Sequence, residues 1–349
     1  MAEAPAKLIL SGEHAVVYGA PALAMALPRY TNVTICGRND EKIVFDYRNT
    51  IYRVSKPECV LNYNVSAINN IRAIIDNRYA QFLAGKLPMR EVLPDTSSLT
   101  RYAVAYFAEQ IVGDAKDLPG MEMAITSDIP IGSGMGSSAA LLVSLLRALL
   151  DFLGITISLP RQFELTRHVE NLQHGISSGL DLYVALYGGV VRFQNGAGEP
   201  RKSLELPYCL VNTGRPESNT GECVAAAQKH FGSYPPPTFI LARKIENCKY
   251  RDFGLLADFT AITNALDLAL TDNDFVEAKR CIRENHRLLQ TLGVVPDKVT
   301  SFIAELEKMG LAAKICGAGA VYGDNAGIIL VLGAADINKL ISQYSYRLA

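Results

Sequence analysis

The sequence predicts an α+β fold in two domains, on three observations. The chain has 349 residues, more than one domain of roughly 100–200 residues usually holds. Hydrophobic residues make up 49% of it and charged residues 20%, which supplies packed cores and excludes a largely disordered chain. Strand-like and helix-like segments follow one another without strict alternation, and this mixing favours α+β over a doubly wound sheet.

The elements of the first half follow from local patterns. Runs of aliphatic and β-branched residues predict strands at 7–10, 31–36, 121–126 and 188–193. A long helix is expected at 137–153, because an apolar stripe there ends at Gly154. Pro160 suits the first turn of a second helix, which should extend to about residue 174.

A new series of elements begins near residue 204. The polar stretch Asn195-Gly-Ala-Gly-Glu-Pro before it is expected to be a loop, so we place the domain boundary in 195–203 and predict domains 1–200 and 201–349. Strands are then expected at 206–212, 312–316 and 327–332, and helices at 254–271, 274–292 and 297–309.

Charge and cysteine usage exclude several classes of protein. Lys and Arg number 34 against 35 Asp and Glu, a net charge of −1, so no global basic field favours nucleic acid. The seven cysteines show no C-x-x-C pair, which favours reduced thiols in a cytosolic enzyme. No signal-peptide pattern and no run near the ~20 apolar residues of a membrane span occurs. We expect a cytoplasmic protein without nucleic-acid or membrane partners.

The strongest local signal is Pro130-Ile-Gly-Ser-Gly-Met-Gly-Ser-Ser-Ala-Ala, directly before the helix predicted at 137–153. Glycines let the backbone turn tightly and approach a ligand, and a helix start offers free N–H groups and a positive dipole end. We therefore predict a phosphate-binding loop rather than a structural turn, with Ser137 and Ser138 near phosphate oxygens or a metal ion. The spacing matches neither a Walker A loop nor G-x-G-x-x-G, which disfavours a hydride-transferring dinucleotide enzyme.

Three segments together resemble the GHMP kinases. Pro130 to Ala140 is similar to their second motif, P-x-x-x-G-[LM]-G-S-S-A-A, and Ala4 to Gly19 resembles their first. Lys314-Ile-Cys-Gly-Ala-Gly-Ala falls where the family has its third. This last segment departs from the family, because Gly317-Ala-Gly-Ala-Val-Tyr-Gly323 stands where Gly-Ala-Gly-Gly-Gly-Gly is common.

The resemblance implies a two-domain GHMP kinase fold. Its N-terminal domain would be ribosomal-protein-S5-like and its C-terminal domain ferredoxin-like, with ATP and substrate in the cleft between them. The implied activity is transfer of the γ-phosphoryl of ATP, with Mg²⁺, to a hydroxyl of a small molecule. Mevalonate is the expected acceptor, phosphomevalonate and sugars are alternatives within the family, and a homodimer is left open.

The resemblance also implies roles for single residues. Asp181 matches the catalytic aspartate and Lys7 the first-motif lysine near it, while Ser138 and Glu170 match Mg²⁺ ligands. The implied contacts to ATP are Ser127, Gly132, Ser133, Gly134, Met135, Gly136, Ser137, Ser138 and Asn49. The implied contacts to the substrate are Glu13, His14 and Thr220.

These residue types suit phosphoryl transfer, which needs positioning and charge neutralisation more than covalent chemistry. Mg²⁺ prefers oxygen ligands, so one hydroxyl and one carboxylate are a reasonable protein contribution. Asp181 can take the proton of the acceptor hydroxyl or orient that hydroxyl. Lys7 nearby would keep Asp181 ionised and stabilise charge on the acceptor oxygen.

A serine hydrolase and a non-catalytic ligand sensor are two alternative classes of protein. Gly175-Ile-Ser-Ser-Gly179 fits the G-x-S-x-G elbow of serine hydrolases, with Ser177 as nucleophile. That elbow needs a strand leading in, whereas a helix is predicted there. A non-catalytic ligand sensor is the other class, and the intact set of Lys7, Ser138, Glu170 and Asp181 argues against it.

Overall fold

The computed structural model describes the chain except residues 49–59, 96, 114–117, 131, 203–205, 219 and 232–252. Asn49 therefore lies outside the described residues. Contacts group the chain into two compact units. The first unit comprises Met1–Ala6, Leu27–Pro130 and Gly136–Tyr187, and the second comprises Lys7–Ala26, Ile131–Met135 and Gly188–Ala349. Strands β1 (Ala2–Ser11) and β2 (Ala22–Gly37) each have residues in both.

This grouping differs from the single domain boundary expected near residue 200. Two N-terminal segments group with the C-terminal residues, and backbone contacts within the second unit give the reason. The amide of Lys7 donates to the carbonyl oxygen of Met135 at 3.0 Å, and that of Ile328 donates to Ser133 at 3.3 Å.

The first unit contains helices and strands, and strand β5 (Met121–Ser127) lies between β2 and β3 (Lys42–Tyr47) in its sheet. The further elements are β3 (Lys42–Tyr47), β4 (Val60–Asn64), α1 (Val65–Leu83), α2 (Ser98–Val112), β5 (Met121–Ser127), α3 (Ser137–Leu153), α4 (Leu159–His174) and α5 (Leu180–Tyr187). Strand β5 pairs antiparallel with β2, from Thr31↔Ser127 to Gly37↔Met121, and parallel with β3, which pairs antiparallel with β4. Helix α3 packs against α2, α4 and α5.

Helix α3 has the predicted bounds, because both of its ends are encoded locally. Gly136 before it and Gly154 after it have φ values of 71° and 67°, a left-handed conformation that glycine adopts without strain. Its side chains are buried nearly all round, as expected for a helix inside a core. The hydroxyl of Ser144 lies 2.8 Å from the carbonyl oxygen of Thr31, which ties α3 to β2.

In the second unit, a four-stranded antiparallel sheet of order β11-β8-β10-β9 packs against helices. Phe231, Phe259 and Phe302 are fully buried in its core. The elements, after a 3₁₀ turn at Ala15–Tyr18, are β6 (Val190–Gln194), β7 (Ala197–Arg201), β8 (Tyr208–Asn212), α6 (Thr220–Phe231), α7 (Phe253–Thr271), α8 (Phe275–Thr291), α9 (Asp297–Lys308), β9 (Ala312–Cys316), β10 (Ile328–Leu332), α10 (Asn338–Gln343) and β11 (Arg347–Leu348).

The loop expected at 195–200 is wrong. Strand β7 begins at Ala197 and pairs antiparallel with β6, with Gln194 opposite Ala197. The connection is Asn195-Gly196, and both residues have positive φ, 51° and 82°. Two central residues with positive φ make the tight hairpin turn that Asn-Gly strongly favours.

The α+β class is confirmed, and among the described helices none is long and apolar enough to span a membrane.

Candidate active site

The glycine-serine loop has the conformation that its composition predicts. Gly132, Gly134 and Gly136 have φ values of 71°, 82° and 71°, so all three occupy the left-handed region. Ser137 and Ser138 follow as the first residues of α3 and are half-buried. Since the first N–H groups of a helix lack partners within the helix, this end of α3 can bind an anion.

Packing within the second unit explains Gly134. A Cβ on Gly134 would lie 2.5 Å from the carbonyl oxygen of Cys316, and one on Gly317 would lie 2.7 Å from the Cα of Gly134. The glycine loop and the third motif therefore meet backbone to backbone. We expected Gly134 to be a glycine so that a ligand could approach, but a neighbouring segment of the chain already requires it. Its contact with ATP stays a prediction.

A cavity of about 390 Å³ lies beside this contact, within the second unit. The loop residues Gly132, Ser133 and Gly134 line one part of it, and Arg215 lines another. The predicted substrate residue Thr220, at the start of α6, is also in its wall. The structure thus brings predicted nucleotide and substrate residues to one cavity.

Arg215 is a candidate site residue that the sequence argument missed. A Cβ on Gly132 would lie 3.7 Å from Nε of Arg215, so the guanidinium group runs along the glycine loop. Guanidinium groups pair with carboxylates and phosphates through two parallel hydrogen bonds. The available signal in the sequence was a lone cation five residues before Thr220.

The unusual third motif lines part of the cavity through Cys316, Ala318 and Gly319, and the residues after them bond to its other wall. The amide of Val321 donates to Oγ of Ser218 at 2.9 Å, and the amide of Asp324 donates to Glu217 at 3.2 Å. The hydroxyl of Tyr322 donates to Glu222 at 3.2 Å. Val321, Tyr322 and Asp324 therefore hold Ser218, Glu222 and Glu217 in place by hydrogen bonds.

Glu13 and His14 are both placed near this wall. His14 has φ of 61°, unusual for a residue with a side chain, and its Nε2 lies 3.1 Å from the carbonyl oxygen of Ala318, which lines the cavity. Burial lowers the pKa of His14 to about 4, so the ring is neutral at pH 7. Glu13 is 1% exposed and forms an ion pair with Lys314.

Glu170 and Asp181 lie in one locally ordered segment of the first unit. Glu170, on α4, is 2% exposed and accepts a hydrogen bond from Oγ of Ser177. The same Oγ accepts from the amide of Gly179 at 3.0 Å, just before α5 begins. Asp181 is in the first turn of α5. Ser177 therefore links the helix that carries Glu170 to the start of the helix that carries Asp181.

This geometry argues against the serine hydrolase. Helix α4 runs to His174 and leads directly into Gly175, where a nucleophile elbow needs a strand. The hydroxyl of Ser177 is engaged with Glu170 and Gly179, and Ser177 is buried. Its role in the structure is to position Glu170.

The remaining predicted residues have structural partners of their own. Lys7 is buried in β1, and its amide bonds Met135, whose side chain is also buried. Oγ of Ser127 lies 2.8 Å from Oγ1 of Thr31 and accepts from the amide of Ile129 at 3.2 Å. These bonds stabilise the end of β5. The contacts of Lys7, Ser127 and Met135 with ligands stay predictions.

The fold and the glycine loop define the class to which the chain belongs. The family model of the GHMP kinases N terminal domain matches residues 98–189, and that of the GHMP kinases C terminal domain matches residues 265–323. The chain belongs to the GHMP kinases. It is therefore an ATP-dependent kinase that acts on a hydroxyl group of a small molecule, and the two-domain GHMP kinase fold is confirmed.

Individual relatives point to one branch of this family. A mevalonate kinase of Thermococcus onnurineus is 32% identical over 91% of this chain and 86% of its own length. The mouse mevalonate kinase is 28% identical over 95% of this chain and 86% of its own.

Solved structures share the fold. A mevalonate kinase crystal structure has a TM-score of 0.73 at 21% identity, covering 100% of this chain and 97% of that one. A Lactococcus lactis galactokinase complexed with galactose has a TM-score of 0.73 at 16% identity, covering 99% and 92%.

Proposed function

We propose that this kinase phosphorylates the primary hydroxyl of mevalonate, giving 5-phosphomevalonate and ADP. The observation that carries the proposal is the agreement of mevalonate kinases with the chain over 91% of its length. The cavity supports it chemically. Mevalonate is a hydroxy acid, and Arg215 places a guanidinium group beside the glycine loop.

Different residues of the chain bind the phosphates, accept the proton, stabilise the developing charge and bind the acceptor. The N–H groups at the start of α3 and the loop 132–136 hold phosphate oxygens. Asp181 accepts the proton of the acceptor hydroxyl or orients that hydroxyl for attack. The ammonium of Lys7 stabilises the negative charge that develops on the acceptor oxygen. Glu13, His14 and Thr220 bind the acceptor.

Ser138 and Glu170 fit a Mg²⁺ ion. One hydroxyl and one buried carboxylate are oxygen donors of the kind that Mg²⁺ prefers, and such sites commonly keep several waters. Among the described residues no three His, Cys, Asp or Glu side chains cluster as a metal site. When bound, the ion would neutralise charge on those phosphates.

Replacing Glu170 by Gln should lower kcat and raise the Mg²⁺ concentration needed for half-maximal activity. The amide keeps an oxygen that can accept the bond from Ser177 but removes the charge that attracts the ion. Mg²⁺ titrations of the initial rate measure the effect. Glu164→Gln, at an exposed position of the same helix, is the matched control. An unchanged Mg²⁺ requirement in the Glu170 variant would exclude this residue from the metal site.

A panel of hydroxyl acceptors tests the proposed substrate. With ATP and Mg²⁺, kcat/KM should be higher for mevalonate than for phosphomevalonate or galactose by at least about 100-fold, because a site built for one set of polar groups strongly rejects others. Turnover of a sugar without turnover of mevalonate would overturn the proposal.

We also propose a domain organisation, a location and an oligomeric state. Residues 1–200 form the ATP-binding domain and 201–349 the C-terminal domain, and the two family models lie on either side of that boundary. Cytoplasmic location and a homodimer are part of the proposal. Size-exclusion chromatography with light scattering measures the oligomeric state.

A further inference from the structure

Lys314 is an ammonium group buried deep in the second unit. It lies on β9 and is 0% exposed, although burying a charge is costly unless the charge is paired and hydrogen-bonded. Its Nζ donates to the carbonyl oxygen of Ile9 at 3.1 Å and to Oε1 of Glu13. These partners are 305 and 301 residues away in the sequence.

The Glu13 carboxylate uses only one of its two oxygens. Oε1 accepts from Lys314, whereas Oε2 is fully buried and has no hydrogen-bond partner among the described residues. A buried acceptor without a donor costs free energy that a donor from a ligand would recover. The free oxygen is therefore suited to a hydroxyl group brought by a ligand.

The position of this pair relates it to the cavity. His14, next to Glu13 in the chain, contacts Ala318, and Ala318 and Cys316 both line the cavity. Cys316 is two residues from Lys314 on β9, and burial raises its pKa to about 11, an effect that the ammonium of Lys314 opposes. Glu13 and Lys314 are thus close in the chain to residues that line or contact the cavity wall.

We propose that Lys314 is a positioning residue for the acceptor substrate. By pairing with Oε1 of Glu13 it keeps this carboxylate ionised and fixed, so that Oε2 accepts a hydrogen bond from a hydroxyl of the acceptor. The inference rests on the proposed function in one respect, namely that Glu13 contacts the acceptor. It adds a role for Lys314 and a specific oxygen for the contact.

The charged groups around Glu13 make this role sensitive to pH. Burial raises the pKa of Glu13, whereas the ammonium groups of Lys314 on β9 and Lys7 on β1 oppose the rise. Two neighbouring imidazoles are neutral at pH 7, because burial lowers the pKa of His14 and of His286, on α8, to about 4. Without Lys314, one of the charges that oppose the rise is lost, so the pKa of Glu13 is raised further.

Lys314→Met, Glu13→Gln and the double variant test the proposal. At pH 7, Lys314→Met should raise the KM for the acceptor about 10- to 100-fold, the effect of one hydrogen bond to a charged group. The dissociation constant for ADP should change less than about twofold. The activity of Lys314→Met should rise with pH more steeply than that of wild type, because the ammonium that favours the ionised form of Glu13 is gone. In the Glu13→Gln background, Lys314→Met should cause little further rise in the KM for the acceptor.

Three outcomes would overturn the proposal. The first is that Lys314→Met raises the KM for the acceptor equally in the wild-type and Glu13→Gln backgrounds. The second is a pH profile of Lys314→Met parallel to that of wild type. The third is that affinity for ADP falls as much as affinity for the acceptor. If Lys314→Met alone does not fold, the double variant, which leaves neither charge of the pair buried alone, is compared with Glu13→Gln, and a further rise in the KM for the acceptor there would overturn the proposal. These assays use the acceptor that the wild-type enzyme phosphorylates best. If mevalonate is not a substrate, the wild-type enzyme alone shows it, and the Lys314 proposal is still tested with the better acceptor.

Discussion

Replacing Asp181 by Asn is expected to lower kcat by on the order of 10²–10⁴-fold, the contribution of a positioned general base. The amide keeps the shape of the side chain and its place in the first turn of α5 but cannot accept the proton of the acceptor hydroxyl. Binding of ATP should change little, because the loss concerns the transition state of the transfer step. Steady-state kinetics and a nucleotide titration measure the two effects.

Asp151→Asn is the matched control for this substitution. Asp151 lies in the last turn of α3, in the same unit, and its side chain is exposed, so kcat should stay within about twofold of wild type. Near-normal turnover by a folded Asp181→Asn protein would show that Asp181 is not the catalytic residue.

Gly134→Val is expected to destabilise the protein by about 2–6 kcal/mol. A non-glycine residue in the left-handed region costs about 1–3 kcal/mol, and overpacking costs about as much again. The φ of Gly134 is 82°, and its Cβ would lie 2.5 Å from the backbone oxygen of Cys316, which cannot rotate away. Urea unfolding measures the change. A loss of activity in this variant would therefore not by itself show contact with phosphate.

Gly132→Ala separates the conformational cost from the clash. Gly132 has φ of 71°, but its Cβ would find only Arg215, at an ordinary 3.7 Å. Only the left-handed conformation then opposes the substitution, which should cost about 1–2 kcal/mol. Equal losses of stability at Gly132 and Gly134 would show that packing against the third motif does not constrain the loop.

Elements with strong local signals were predictable from the sequence. Helix α4 starts where Oγ of Ser158 caps its first turn and Pro160 follows. Helix α3 is marked by its apolar stripe and by Gly154 after it. The β6–β7 hairpin was missed although Asn195-Gly196 marks it, because these residues were assigned to a domain boundary. Helices α1 and α2 were not predicted, and neither was the parallel pairing of β3 with β5, which depends on residues about 80 positions apart.

By itself, the sequence determined the glycine loop, the helix behind it and membership of the kinase family, because positive φ, helix caps and motif spacing are local properties. Only the tertiary structure showed that Gly134 meets Gly317, that Arg215 lies along Gly132, and that Lys314 pairs with Glu13. These partners are tens to hundreds of residues apart. Close packing and the cost of burying an unpaired charge select them, and both act only once the chain has folded.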